Sequence, residues 1–149
     1  MNWMDLALQQ LAREAGVVVT VLATQGSVPR GAGTRMVVFA QGEQGTIGGG
    51  HLEYQAIAHA RLLLARQTDQ TQLRHVLGPS LGQCCGGAVE LQFQPVTSAD
   101  VARLQSELKP ARTPLALFGG GHVGKALVRT LAPLPFAVRW VDSRDEIFP

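Results

Sequence analysis

The residues best suited to chemistry are two adjacent cysteines, Cys84 and Cys85, in the glycine-flanked segment 81–87. Flanking glycines let backbone N–H groups turn toward an anion. A thiolate is an anion, so such a loop lowers a cysteine pKa and makes the sulfur a nucleophile or a metal ligand. We favour Cys85 as the functional thiol and metal ligand because Gly86 and Gly87 follow it directly. The alternative is that both cysteines fill a tight turn, since cysteines are often buried and inert.

A phosphate-binding turn is predicted where a strand, three glycines and a helix follow one another. Gly48, Gly49 and Gly50 precede His51 at the start of the helix. Free N–H groups at a helix start point at a bound anion, and the helix dipole strengthens their attraction. His51 is a candidate proton donor, ligand or neighbour of the cap. Glu53 lies in the first turn, where a carboxylate is favoured even without a function.

Two arginines, Arg30 and Arg35, lie in the polar, glycine-rich loop 24–35. Guanidinium groups match phosphate oxygens bidentately, so this loop is a second candidate for binding an anionic group. The alternative is a solvated hairpin loop without a ligand.

A dinucleotide-binding motif is predicted near the end of the chain. Gly119, Gly121 and Gly124 fit G-x-G-x-x-G directly after a short apolar strand. The three glycines permit a tight turn, the approach of a pyrophosphate and close packing of helix on strand. Asp142 ends the next strand, where a carboxylate accepts a ribose hydroxyl. His122, inside the motif, shares with His51 the role of candidate reactive group if the cysteines are structural.

The surrounding pattern predicts an α/β protein with an N-terminal α+β domain and the first βαβ unit of a Rossmann-type domain. We expect domains at 1–108 and 115–149, joined by a proline-containing linker at 109–114. The expected helices are 5–15, ended by Gly16, then 52–66, one that is capped by residues 98–100 and ends near 108, and one that follows the motif at 119–124 and ends near 131; the expected strands are 17–23, 36–40, 45–47, 71–77, 88–96, 115–118 and 136–141. A doubly wound sheet needs further strands, so we expect the sequence to be a fragment.

Composition excludes several classes of function. The chain has 149 residues and a formal charge of +2, with no basic block, which argues against binding to nucleic acid. It has no apolar run near the roughly 20 residues that cross a bilayer, so no membrane association is expected. Adjacent cysteines do not form a disulfide framework, and no secretory signal precedes them. The expected location is therefore the cytoplasm.

Four sequence blocks resemble the XdhC/CoxI family and come in the order found there. They are residues 26–30 (GSVPR), 45–53 (GTIGGGHLE), 77–87 (LGPSLGQCCGG) and 117–124 (LFGGGHVG). The resemblance implies a chaperone that binds the molybdenum cofactor (molybdopterin), supports its sulfuration and delivers it to xanthine dehydrogenase. The implied partners are the molybdenum subunit of that enzyme, a cysteine desulfurase and a second copy of the chain. Part of the family has cysteine at the position of His51, so a ligand role there stays open.

Two alternative functions come from other classes. One is an NAD(P)-dependent oxidoreductase that uses the glycines near His122 and the thiols as redox groups. The other is a non-catalytic scaffold for the desulfurase and the dehydrogenase. An accessory factor is favoured over a stand-alone enzyme, with NAD(P) or another nucleotide as a further ligand of a longer chain.

Overall fold

A computed structural model describes residues 3–78, 86–107 and 112–148. The chain divides into two compact units, Met1–Glu107 and Leu108–Pro149, called here unit 1 and unit 2. Cys84 and Cys85 lie outside the described residues, as do residues 109–111 of the predicted linker, and the last two linker residues, Thr113 and Pro114, belong to a strand instead. No helix within the described ranges is both long and apolar enough to cross a membrane.

Unit 1 is a five-stranded antiparallel sheet with helices on both faces. The strands stand in the order β3-β2-β1-β5-β4. The elements are α1 (Trp3–Leu11), β1 (Gly16–Gln25), β2 (Arg35–Phe39), β3 (Glu43–Gly45), α2 (Gly50–Arg66), β4 (Thr71–Val76), β5 (Ala88–Val96) and α3 (Val101–Glu107). A single 3-10 turn, Ser98–Asp100, leads into α3. A capping box in which Thr97 and Asp100 hydrogen-bond each other's backbone N–H holds its start.

The main core lies between the sheet and α2. Alternate residues of β1, such as Val17, Val19 and Val21, are fully buried against the apolar stripe of α2. Val18, on the other face of β1, is buried as well. Because both faces of β1 are covered, its sequence is a continuous run of β-branched residues rather than an alternating one.

Several boundaries differ from the sequence predictions by a few residues, most clearly those of α1 and β3. The first helix ends at Leu11, and Gly16 begins β1 instead of capping that helix. A Cβ at Gly16 would lie 3.1 Å from a side-chain atom of Leu11 and 3.2 Å from one of Phe39, so a larger residue would fit there only if these side chains moved slightly. The returning strand is β3, at Glu43–Gly45, two residues earlier than predicted, because the preceding turn is short.

Unit 2 contains one parallel βαβ unit. Strand β6 (Thr113–Phe118) pairs in parallel with β7 (Phe136–Val141), and α4 (His122–Leu131) connects them. A 3-10 turn, Asp145–Ile147, follows. The predicted α/β fold class is confirmed, with antiparallel strands in unit 1 and a parallel pair in unit 2.

Two histidines lie where α2 packs on β4. The ring of His59 meets the ring of Phe93 edge-on at 4.6 Å, and its Nε2 is 3.2 Å from Thr71 Oγ1. Nε2 of His75 is buried and has no hydrogen-bond partner among the described residues. Burial lowers the pKa of both imidazoles, and the nearby His59 lowers the pKa of His75 further.

This pair predicts that unit 1 loses stability in mild acid. A histidine whose pKa in the folded chain is below its unfolded value of 6.5 does not change the free energy of unfolding above pH 6.5, because it is neutral in both states there. As the pH falls below 6.5, the unfolded chain gains protons before the folded chain does, so the free energy of unfolding declines. Urea unfolding between pH 7.5 and 5.0 measures this decline.

His75→Leu should flatten that decline, and His51→Gln, a change of an exposed histidine at the start of α2, should retain it. An unchanged decline in His75→Leu would assign the acid sensitivity to other groups.

Candidate functional site

Three glycine-containing segments of unit 1 meet at one place, which we call the glycine junction: residues 25–30, 48–50 and 86–87. A Cβ at Gly87 would overlap the carbonyl oxygens of Gln25 and Ser27. A Cβ at Gly26 would lie 3.3 Å from Gly87 Cα. The backbone at residues 86–87 therefore packs directly on the loop that leaves β1.

The glycine turn before α2 forms the third side of the junction. A Cβ at Gly48 would overlap Pro29 Cβ and lie 3.5 Å from Arg30 Cγ. Gly48, Gly49 and Gly50 all have positive φ, at 126°, 76° and 67°. Side chains are disfavoured in that region, so the turn depends on glycine. No other described residue lies within 4 Å of a Cβ built at Gly49, so this side of the turn is open.

The segment that carries the cysteines starts and ends at the junction. Strands β4 and β5 pair as far as Val76 and Ala88. Beyond that pair, the N–H of Leu77 donates to the carbonyl oxygen of Gly87 at 2.7 Å. The predictions for Cys84 and Cys85 fall on residues 79–85, outside the described residues. The described chain resumes at the exposed Gly86, directly after Cys85.

Glu53 stabilises the glycine turn from within. Its Oε2 accepts hydrogen bonds from Ile47 N at 2.8 Å, Gly49 N at 3.1 Å and Thr46 Oγ1 at 2.5 Å. One amide of the predicted phosphate-binding turn, that of Gly49, therefore donates to a carboxylate of the chain. Sequence reasoning treated Glu53 as an ordinary first-turn residue. Its position four residues after Gly49 is the signal that could have indicated this role.

Arg30 and Arg35, the two candidate phosphate ligands of loop 24–35, lie in different environments. Arg30 is exposed beside Gly48, and its guanidinium has no hydrogen bond or ion pair to a described residue. Arg35 begins β2, and its Nη1 donates to the carbonyl oxygen of Glu107 at 3.3 Å. A cation is favoured there, at the C-terminus of α3. The strand pleat turns Arg35 to the face opposite α2, because its neighbour Met36 packs in the core against α2.

His51 is exposed on the first turn of α2. Nε2 of Gln55 donates to Nε2 of His51 at 3.0 Å, and the imidazole stacks on Tyr54 with ring centroids 6.3 Å apart. A ligand role for His51 through Nε2 would require release of Gln55. The described residues contain no group of three or more His, Cys, Asp and Glu side chains arranged to hold a metal.

The glycine motif of unit 2 forms the turn between β6 and α4. A Cβ at Gly124 would overlap the carbonyl oxygen of Gly119, so α4 packs closely on the turn. Trp140 Nε1 also donates to that oxygen, at 3.1 Å. Nothing described lies within 4 Å of a Cβ built at Gly121, which is the N-cap of α4. His122 is exposed at the first position of α4.

Asp142 closes this turn and is already fully hydrogen-bonded. Its Oδ1 accepts from Arg144 N at 2.9 Å and Arg144 Nε at 3.0 Å. Its Oδ2 accepts from Gly120 N at 2.5 Å and Arg144 Nη2 at 3.1 Å. The Arg144 side chain, then the Gly120 and Arg144 amides, hold the pKa of Asp142 well below its usual range. Arg144 did not figure among the sequence candidates, although it lies two residues after Asp142.

Comparison with known proteins bears on the fold and on one part of the chain. Residues 10–76 match the sequence model of the XdhC and CoxI family. No curated protein sequence is similar enough to count as a match. A crystal structure of a Bacillus halodurans protein described as a xanthine dehydrogenase superposes with a TM-score of 0.76 at 16% identity, over 99% of this chain and 64% of that chain. At this identity the likeness shows the fold alone.

The matched segment contains two of the three parts of the glycine junction, residues 25–30 with Arg30 and the glycine turn 48–50. It also contains Glu53, which hydrogen-bonds to that turn. It ends one residue before the block that carries the cysteines. Residues 10–76 of this chain are therefore similar to the XdhC and CoxI family over a little less than half of its length.

Proposed function

We propose that this chain binds the molybdenum cofactor and supports the maturation of a xanthine dehydrogenase. The observation that carries the proposal is the glycine junction, where a free arginine, an open glycine surface and both ends of the cysteine segment come together. The match of residues 10–76 to the XdhC and CoxI family supports the same role, since the resemblance implies a cofactor chaperone. An accessory factor is favoured over a stand-alone enzyme.

The residues at the junction fit the chemical parts of molybdopterin. The phosphate suits the guanidinium of Arg30, which has no partner among the described residues. The open face of Gly49 and the exposed Gly86 allow a ligand to approach the backbone closely. The soft metal and its dithiolene suit a thiolate, which Cys84 or Cys85 would supply. Oε2 of Glu53 already accepts three hydrogen bonds from the turn, so no metal contact is assigned to that oxygen.

In the mechanism we propose, each group of the chain has a separate task. When bound, the cofactor supplies a molybdenum centre whose terminal ligand can be exchanged for sulfur. Arg30 holds the phosphate and thereby fixes the orientation of the cofactor. Cys84 or Cys85, as a thiolate, would hold the metal, or it would attack the outer sulfur of a persulfide on the cysteine desulfurase, forming a persulfide on this chain and releasing the desulfurase cysteine as a thiolate. The receiving partner is the molybdenum subunit of the dehydrogenase, and a homodimer of this chain stays a prediction.

Anaerobic purification tests the proposal directly. The chain, produced in cells that make molybdopterin, should retain pterin fluorescence and molybdenum in equal amounts. Transfer to apo-xanthine dehydrogenase should restore its activity. Material free of both pterin and molybdenum, which also fails to bind added cofactor, would reject the proposal.

The two arginines give a matched pair of variants. Arg30→Ala should weaken cofactor binding by about 1.5 to 3 kcal/mol, the contribution of a hydrogen bond to a charged group. Arg35→Ala removes the same charge on the other face of the sheet and should leave cofactor affinity unchanged. Affinity is measured by quenching of pterin fluorescence. Equal losses in both variants would indicate that general charge, rather than the position of Arg30, attracts the cofactor.

A second candidate function, nucleotide binding by unit 2, is favoured by the packing of Gly124 on Gly119. The open Gly121 lies at the start of α4, where a pyrophosphate would approach the backbone. NAD(P) or another nucleotide is the proposed ligand. Titration of the ¹⁵N-labelled chain with ADP should shift the amide resonances of residues 119–123. Unchanged resonances at millimolar ADP would remove this candidate.

A further inference from the structure

The end of β7 offers a ligand hydrogen-bond donors rather than acceptors. A carboxylate has about four lone-pair positions. All four on Asp142 are used by Gly120 N and three donors of Arg144. The Asp142 side chain is only 5% exposed. A ribose hydroxyl, which must donate a hydrogen bond to this carboxylate, finds no free position.

Arg144, beside Asp142, has hydrogen-bond donors that no described residue uses. Its guanidinium carries five N–H groups, of which Nε and one on Nη2 donate to Asp142. Nη1 donates to no described residue, and the side chain is 56% exposed. Residues 112–148 contain five basic and three acidic side chains, but all three acidic ones lie within two positions of Arg144 in the sequence, so the attraction for an anion rests on the Arg144 guanidinium itself.

We propose that unit 2 selects nucleotides with a phosphate monoester on the ribose, bound by Arg144, over nucleotides with free ribose hydroxyls. This inference rests on the nucleotide-binding candidate function. The phosphate would accept from the outer edge of the guanidinium while the inner edge stays paired with Asp142. Arg144 is then the residue that determines specificity, and Asp142 positions it.

The test compares two small ligands on the ¹⁵N-labelled chain. Adenosine 2′,5′-bisphosphate should shift the amides of residues 119–121 and 144 at concentrations at least about tenfold lower than AMP does, as expected for a charge-assisted contact. Arg144→Gln should remove this preference. It should also strengthen AMP binding, because Asp142 regains two free acceptor positions. Arg139→Gln removes an exposed charge from β7 and should keep the wild-type preference.

The possible outcomes test nucleotide binding by unit 2 separately from the specificity assigned to Arg144. If neither ligand shifts residues 119–121, nucleotide binding by unit 2 is wrong and the inference fails with it. If both ligands bind equally well, or if AMP binds better, unit 2 binds nucleotides but the assigned specificity is wrong. An Arg144→Gln variant that keeps both its amide spectrum and the wild-type preference would also overturn the role of Arg144.

Discussion

Gly87→Ala is expected to disrupt the glycine junction and to abolish cofactor retention. The added methyl would overlap the carbonyl oxygens of Gln25 and Ser27 and lie 2.9 Å from Val28 Cγ1. Two of these neighbours are backbone atoms of an adjoining segment, so rotation of a side chain cannot relieve the overlap. We expect unit 1 to lose about 3 kcal/mol of stability, the upper end of the usual cost of overpacking. Urea unfolding and pterin fluorescence measure the two effects.

The neighbouring glycine supplies the control. A Cβ at Gly86 would meet nothing within 4 Å, and the residue is exposed. Gly86→Ala should therefore change stability by less than about 0.5 kcal/mol, as most exposed substitutions do. If Gly86→Ala and Gly87→Ala behaved alike, the packing of residues 86–87 on the loop after β1 would not be what holds the junction.

The bounds of two strands, β5 beside the glycine junction and β7 in unit 2, could be predicted from local sequence patterns. β5 alternates apolar and polar residues and was predicted with its observed bounds, 88–96, and β7 likewise at 136–141. Each pattern lies within one element and records which face of the strand is buried. The predicted helix at 52–66 also agrees with α2, which begins two residues earlier.

The meeting of the three segments could not be predicted, because it depends on pairing between distant strands. Gln25 pairs with Ala88, so the next residues along each strand, Gly26 and Gly87, meet beyond the end of the ladder. The register of β1 shifts between Val21 and Ala23, which a sequence does not reveal. A shift of one residue would turn the other side of each segment toward its neighbour.

The two Gly-Gly-Gly-His turns show what the sequence motif left out. Each motif predicts amides free for an anion. In the structure Glu53 accepts from Ile47 and Gly49, and Asp142 accepts from Gly120. Both carboxylates come from outside the glycine run, one from the following helix and one from the next strand. The motif therefore specifies a turn whose amides bind a carboxylate of the chain. A ligand can bind only to the hydrogen-bond donors that this carboxylate leaves free.

The cysteines carry the largest expected functional effect. Cys85→Ser should abolish cofactor retention and activation of apo-dehydrogenase, while Cys84→Ser should have a mild effect. Adjacent side chains point in different directions along the backbone, so both thiols do not reach one atom. Cys85 is favoured because Gly86 and Gly87 follow it, and Gly87 is fixed against Gln25 and Ser27 in the junction. Transfer assays with each serine variant measure the effect.

The reactivity of each thiol supplies an independent measurement on the unaltered chain. If the proposed role is correct, Cys85 should react with iodoacetamide at neutral pH, below the free-thiol pKa of ~8.5, because a nearby positive potential stabilises the thiolate. Mass spectrometry of alkylation against pH follows both cysteines separately. Arg30→Ala should slow alkylation of Cys85 if its guanidinium provides part of that potential, and Arg35→Ala should not. Two thiols that react only above ~8.5, together with serine variants that still activate the dehydrogenase, would assign a structural role to the cysteine segment. His51 or His122 would then be the candidate reactive group.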